Sequence, residues 1–190
     1  MARWQPDSRR RLEASALELF EARGYDGTTA AQIAEHAGLT ERTFFRHFAD
    51  KREVLFDGSA EFQQRVLDGV AAAPSTASAL DAAAAGMDAA AAFLQSTPDP
   101  EFPRLRAAVV AANPSLLERE LLKLSTVTSA SSRALQDRGA SAMEAAIAAE
   151  VAMAAFRLAF ERWVSSPQPP EHPDLRALVR EGIAAFRALA

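Results

Sequence analysis

Hydrophobic positions along the chain recur at helical spacing almost from end to end. Leu12, Ala16, Leu19 and Phe20 fall at i, i+4, i+7 and i+8, which predicts a first helix with one buried stripe. It begins at Asp7 or Ser8, whose side chains can cap free backbone N–H groups, and stops at Gly24 after Arg23. Thr29 and Gln32 form a capping box for a second helix whose buried side is Ile33, Ala34 and Ala37, with Gly38 ending it. Leu39 then precedes Thr40, the N-cap of a third short helix, and is spaced to staple onto Phe44. Phe44 and Phe48, four apart, belong to its core side. Asp50, with Glu53 three residues on, caps a fourth helix that runs through Phe56, Phe62, Val66, Leu67 and Val70 to about Ala73, before Pro74.

Beyond Pro74 the pattern predicts five more helices. They run from about Ser75 to Gln95, Phe102 to Ala112, Leu116 to Asp137, Ser141 to Val164, and one after the Pro167-to-Pro173 loop that carries Leu175, Leu178, Val179, Ile183, Phe186 and Leu189. Pro98, Pro100 and Pro103 mark a loop, and Asn113–Pro114 and Arg138–Gly139 mark breaks. The helix over 141–164 is apolar nearly all round, with Met143, Ile147, Val151, Ala154 and Leu158 on one face, so it must be covered on more than one side. The expectation is an all-α protein of about nine helices: an N-terminal three-helix domain over 1–52, joined by a long helix to a helical domain over 53–190.

Composition narrows the chemistry. With 49% hydrophobic and 24% charged residues the chain is an ordinary globular one, and without cysteine it has neither disulfides nor thiolate metal sites. His36, His47 and His172 are too scattered for a zinc cluster, so no metal and no cofactor is expected. The longest apolar stretch, Ala79 to Leu94, is interrupted by Asp81 and Asp88 and is no membrane span; with no signal-peptide core in MARWQPDSRRR, the expected location is cytoplasmic. There is no glycine-rich phosphate loop and no Ser/His/Asp set, hence no enzyme reading.

Net charge is −4, yet residues 1–52 hold nine Lys/Arg against eight Asp/Glu, and Arg42, Arg46, His47, Lys51 and Arg52 crowd into one stretch. With Phe44 and Phe48 committed to the core, Glu41, Arg42, Thr43, Phe45, Arg46 and His47 occupy the other faces of a helix barely two turns long. Exposing two arginines and a phenylalanine there does little for stability and suits insertion into a DNA major groove. Lys51, with the backbone N–H groups capped by Asp50, makes a candidate phosphate site, and Arg3 with Arg9 to Arg11 forms a basic arm.

These features together resemble the DNA-binding domain of the TetR family of bacterial transcriptional regulators. The resemblance rests on Arg23–Gly24–Tyr25, Thr28–Thr29 before Ile33–Ala34, Ala37–Gly38–Leu39–Thr40, the run Thr43 to Phe48, and Lys51-Arg52-Glu53-Val54-Leu55. It implies DNA contacts by Thr29, Thr40, Thr43, Phe45, His47 and Lys51, with Glu41, Arg42 and Arg46 varying with the operator. Two departures stand out: Phe45 replaces the family's frequent tyrosine and Ala31 a frequent polar residue, so a helical binding protein with an impaired reader is the alternative. The resemblance further implies a homodimeric regulator, most often a repressor, that leaves a palindromic operator when a small molecule enters the C-terminal domain. Candidate pocket residues are Phe62, Met87, Phe93, Phe102, Ser125, Thr128 and Phe156. The scarcity of charge inside these helices points to an uncharged or lipophilic ligand. Pairing of the last two helices across a two-fold axis would use Met153, Phe160, Trp163, Leu178, Gly182, Ile183 and Phe186, the alternative being a monomer in which both face only their own core.

Overall fold

The computed structural model describes residues 8–96, 101–166 and 173–189. Within them the chain forms nine α-helices and no strand: α1 Ser8–Arg23, α2 Ala30–His36, α3 Glu41–His47, α4 Ser59–Ala72, α5 Ala79–Gln95, α6 Glu101–Ala111, α7 Pro114–Asp137, α8 Ala142–Ser165 and α9 Leu175–Leu189. The expected all-α class is what the structure shows. Asp7, Arg3, Pro98, Pro100, His172 and the loop after Ser166 lie outside the described residues, apart from Pro173.

The capping signals at Thr29 and Thr40 act where the spacing placed them, and the structure adds one at Ser141. Thr29 accepts from Gln32 N while the Gln32 side chain returns to Thr29 N, Thr40 accepts from Thr43 N, and Ser141 and Glu144 close a second capping box ahead of α8. Gly24, Gly38 and Gly139 end α1, the α2 segment and α7 in the left-handed region, at φ 77°, 66° and 100°.

Three expectations need correction. The fourth helix does not start at Asp50: a 3-10 turn over Glu53–Phe56 comes first, and α4 begins only after Gly58, whose φ of 79° interrupts the helical path. Asp50 does cap that turn, accepting from Arg52 N and Glu53 N, but the Glu53 carboxylate pairs with Arg119 instead of returning to the cap. The next helix begins at Ala79 and not at Ser75, because Ser78 is its N-cap through a bond from Asp81 N. Pro103 lies inside the first turn of α6, where its missing N–H would have had no helical partner.

By contacts the chain divides into two compact units, one of residues 1–57 and 101–120, the other of 58–100 and 121–190. In the first, α1, α2, α3 and the 3-10 turn enclose Leu12, Phe20, Ile33, Phe44, Val54 and Leu55, and Val110 of α6 and Leu116 of α7 join the same core. Arg106 of α6 donates to the Leu55 carbonyl at 2.5 Å and pairs with Glu120 through two bonds, at 2.7 and 3.1 Å, and its guanidinium and that of Arg119 stand 5.2 and 5.6 Å from the Phe56 ring.

The second unit is packed largely with alanine. Ala82, Ala83, Ala90 and Ala91 of α5 and Ala145, Ala148, Ala149, Ala152, Ala155 and Ala159 of α8 are all buried, around Met87, Val66, Val70 and Phe156. Such short side chains let helix axes approach, and α9 joins through ion pairs of Asp88 with Arg176 and Arg180 and of Asp81 with Arg187. No helix among the described residues is long and apolar enough to cross a membrane.

Candidate nucleic-acid interface

Phe44 sets the orientation of α3: its ring is fully buried, so Glu41, Arg42, Phe45 and Arg46 are turned to solvent. Phe45 is 52% exposed and meets the Phe44 ring edge-on, with centroids 5.4 Å apart. Glu41, Arg42 and Arg46 make no hydrogen bond or ion pair among the described residues, so stability gives no reason for their presence. At the start of α3 the Thr40 and Thr43 hydroxyls lie 2.9 Å apart, one donating to the other, which leaves one hydroxyl hydrogen to offer outward. Thr29 is likewise engaged in its capping box, though its helix end is exposed.

His47 is half-buried, and its Nε2 is enclosed without a hydrogen-bond partner. Burial first, then the charges of Arg46 and Arg9, hold the imidazole below its ordinary proton affinity, so it is neutral at pH 7.

Lys51 occupies a place that its sequence position did not reveal. Its ammonium donates to the Tyr25 carbonyl at 2.7 Å and the Thr28 carbonyl at 2.9 Å, and stands 4.2 Å from the Tyr25 ring centroid. It ties the loop between α1 and α2 to the segment after α3, and a single N–H is left for a phosphate. The basic arm divides in the same way. Arg11 donates to the Ala37 carbonyl, holding the turn between α2 and α3, and Arg9 grips Asp57 through two bonds, whereas Arg10 is exposed and makes no hydrogen bond among the described residues. The sequence carried little sign of this, since the hydrogen-bond partners named for Arg9, Arg11 and Lys51 are 23 to 48 positions away.

The expected pocket residues are dispersed. Phe102 packs on the core of the first unit; Met87 and Phe156 are buried in the second, with Phe62 5.2 Å from Phe156. Phe93 lies under Arg65, Ser125 is exposed, and Thr128 is buried with its hydroxyl donating back to the Leu124 carbonyl at 3.1 Å. A cavity of about 230 Å³ is lined by Thr128, Ser129, Ser132, Ala146 and Glu150, so Thr128 alone of the seven borders it. Of the residues expected at a dimer seam, Met153, Trp163, Leu178 and Ile183 are buried in their own chain's core, Phe160 packs against it, and Phe186 is half-buried. Gly182 faces Ala155 of the same chain, where an added Cβ would come within 3.1 Å of the alanine methyl. The large apolar side chains of α8 that remain outside are Met143, Ile147 and Leu158, 70%, 53% and 68% exposed.

A short helix whose Arg42 and Arg46 have no hydrogen bond or ion pair among the described residues, set by a capped turn against a three-helix core, has the layout of a helix-turn-helix in an all-helical protein. Residues 13–57 match the family of bacterial regulatory proteins, tetR family. The HTH-type transcriptional regulator TcmR of Streptomyces glaucescens is 41% identical over 75 residues, which are 40% of this chain and 33% of that protein, so the match spans about a third of the relative's length. Fold likeness extends further. A putative transcriptional regulator from Pseudomonas aeruginosa PAO1 aligns over 99% of this chain and 93% of its own, at a TM-score of 0.65 and 16% identity. SmeT, the repressor of the Stenotrophomonas maltophilia multidrug efflux pump SmeDEF, aligns over 95% and 89%, at a TM-score of 0.60 and 19% identity.

Proposed function

We propose that this chain is a DNA-binding transcriptional regulator of the TetR type, a repressor released from a palindromic operator by a small molecule. The observation that carries the reading is the outward face of α3, where exposed Arg42, Phe45 and Arg46 surround a buried Phe44, and neither arginine has a hydrogen bond or ion pair among the described residues. Arginines of this kind read guanine edges in pairs of hydrogen bonds, and an exposed phenylalanine suits a thymine methyl. The reader role is assigned within residues 1–52, with Glu41, Thr29, Thr40, Thr43, His47 and Lys51 as further contacts. The ligand and dimer roles are assigned within 53–190.

Reading a palindrome needs two copies with recognition helices roughly 34–36 Å apart. We place the dimer seam on the outward face of α8, with Met143, Ile147, Ala154 and Leu158, beside the small exposed residues Ala177, Ala184, Ala185 and Ala188 of α9. Three large apolar side chains on one helix face are costly to leave in water, and small residues beside them permit close approach. A ligand favouring a state with wrongly spaced readers would release the DNA. SmeT, a fold neighbour, has been solved as a complex with triclosan, a precedent for a small-molecule effector here. A regulator of this kind acts in the cytoplasm.

The test is a gel shift of the full chain on the DNA upstream of its own gene, over a range of salt. A shifted band whose affinity falls steeply with salt is expected. Absence of any shift, with the protein folded, would instead favour a helical binding protein whose reader is impaired.

A further inference from the structure

A row of hydroxyls on α7 and a single carboxylate on α8 border the same cleft. Thr128, Ser129 and Ser132 of α7, with Ala146 and Glu150 of α8, line the cavity of about 230 Å³ in the second unit. Little of this polarity serves the fold. Thr128 spends its hydroxyl hydrogen on the Leu124 carbonyl, the Ser129 side chain makes no hydrogen bond among the described residues, and Ser132 Oγ accepts one long bond, 3.5 Å, from Gln136. Ser131, between Ser129 and Ser132 in the chain, is fully buried, and its hydroxyl has no hydrogen-bond partner among the described residues. Hydroxyls weaken a helix interior and an unpaired buried one adds to that cost, so stability does not account for this run. Glu150 is equally idle. It is the one charged residue between Glu144 and Arg157, stands exposed, and makes no hydrogen bond or ion pair among the described residues.

We propose that this cleft binds a small hydroxylated amine, such as an amino sugar, whose ammonium meets Glu150 while its hydroxyls meet Thr128, Ser129 and Ser132. The chemistry selects the class. Glu150, with no ion pair to offset it, repels phosphates and carboxylates and attracts an ammonium. Thr128, its hydrogen spent, still accepts, and Ser129 and Ser132 can donate or accept, which suits a guest that is itself hydroxylated. Of the five lining residues only Ala146 is apolar, so a purely lipophilic guest gains little here. The charge of Glu150 is what separates this class from the uncharged or lipophilic ligand expected from the helices at large. The volume lies below the roughly 300–1,000 Å³ of drug-sized sites, which limits the guest to about one ring.

In the regulatory reading proposed above, on which this role rests, such a molecule is the effector; the site itself stands without that reading. Ala146 and Glu150 flank Ile147 along α8, and Ala154 follows Glu150 by one turn. Ile147 and Ala154 belong to the face assigned to the dimer seam. A guest gripping Glu150 therefore bears on the helix that would set the spacing of the two readers.

The experiment follows amide chemical shifts of the full-length protein while glucosamine is added at about pH 6.5, where its amine is protonated. N-acetylglucosamine, which keeps ring hydroxyls but carries no charge, is titrated in parallel. Glucosamine should shift amides within 128–132 and 146–150 and bind about fivefold more tightly than the acetylated sugar. Glu150→Gln, at an exposed position, should leave Tm unchanged and bring the two sugars to equal affinity, while Ser129→Ala should weaken both about threefold. Shifts centred elsewhere, or a Glu150→Gln protein that still prefers glucosamine, would overturn the site. In anisotropy with a fluorescent duplex from upstream of the gene, glucosamine should raise the Kd of the wild type and not that of Glu150→Gln. Binding at the cleft with no change in DNA affinity overturns the effector role alone. A wild type that binds no duplex overturns the regulatory reading, while the titrations still decide on the cleft.

Discussion

Gly69 of α4 lies against Gly86 of α5 so closely that a Cβ on Gly69 would sit 2.8 Å from the Gly86 Cα and 2.6 Å from the Ala85 carbonyl oxygen. Both obstacles are backbone, which no rotamer change can move. Gly69→Ala should therefore destabilise the second unit by about 1–3 kcal/mol, or more if the helices cannot part, despite the better helix propensity of alanine. Thermal melts should show Tm lowered by several degrees. An unchanged or raised Tm would mean that the two helices are free to separate.

Lys51 spends two of its three donors inside the protein, so its removal should be felt without any DNA present. Lys51→Met, which keeps the aliphatic stem, should lower the urea midpoint by the equivalent of about 1–2 kcal/mol. It should also weaken binding to all duplexes alike. Were stability untouched and affinity alone reduced, the lysine would be a phosphate ligand and no tether.

Arg42 presents the opposite case, with no hydrogen bond or ion pair to lose among the described residues. Arg42→Ala should leave Tm within a degree or so of the wild type while relaxing base preference at one operator position, by about 1–3 kcal/mol. Affinity and preference both unchanged would remove α3 from the groove.

The proposed dimer seam separates two kinds of apolar position on the last two helices. Leu158→Glu replaces an outward side chain and should yield a folded monomer in sedimentation velocity, with operator binding lost. Ile183→Glu, at a position 4% exposed, should unfold the second unit outright. A dimer surviving Leu158→Glu would place the seam elsewhere.

What the sequence made legible was local. The capping box at Thr29, the cap at Thr40 and the core spacing of Phe44 and Phe48 each act within four residues, and each stands as read. What escaped depends on distant partners. Nothing near Val110 or Leu116 shows that they complete the core around Phe44, and nothing near Lys51 announces the Tyr25 carbonyl. Helical periodicity also shows that α8 and α9 have several apolar faces without saying which one their own chain will cover. For that reason Ile183 and Trp163 read as interface from sequence and are interior in the structure, while Met143 and Leu158 are left outside.

The alanine seam of α5 and α8 bears on how this protein could respond to anything it takes in. A wall of leucines or phenylalanines can admit a guest by turning side chains aside, absorbing the intrusion locally. Alanine has no rotor to turn, and ten of them face inward here. Where alanine faces alanine, room is made by moving helices, so a guest there must be answered by backbone displacement. A contact that cannot yield by turning side chains is stiff, and stiffness is what lets a local intrusion be felt at a distance.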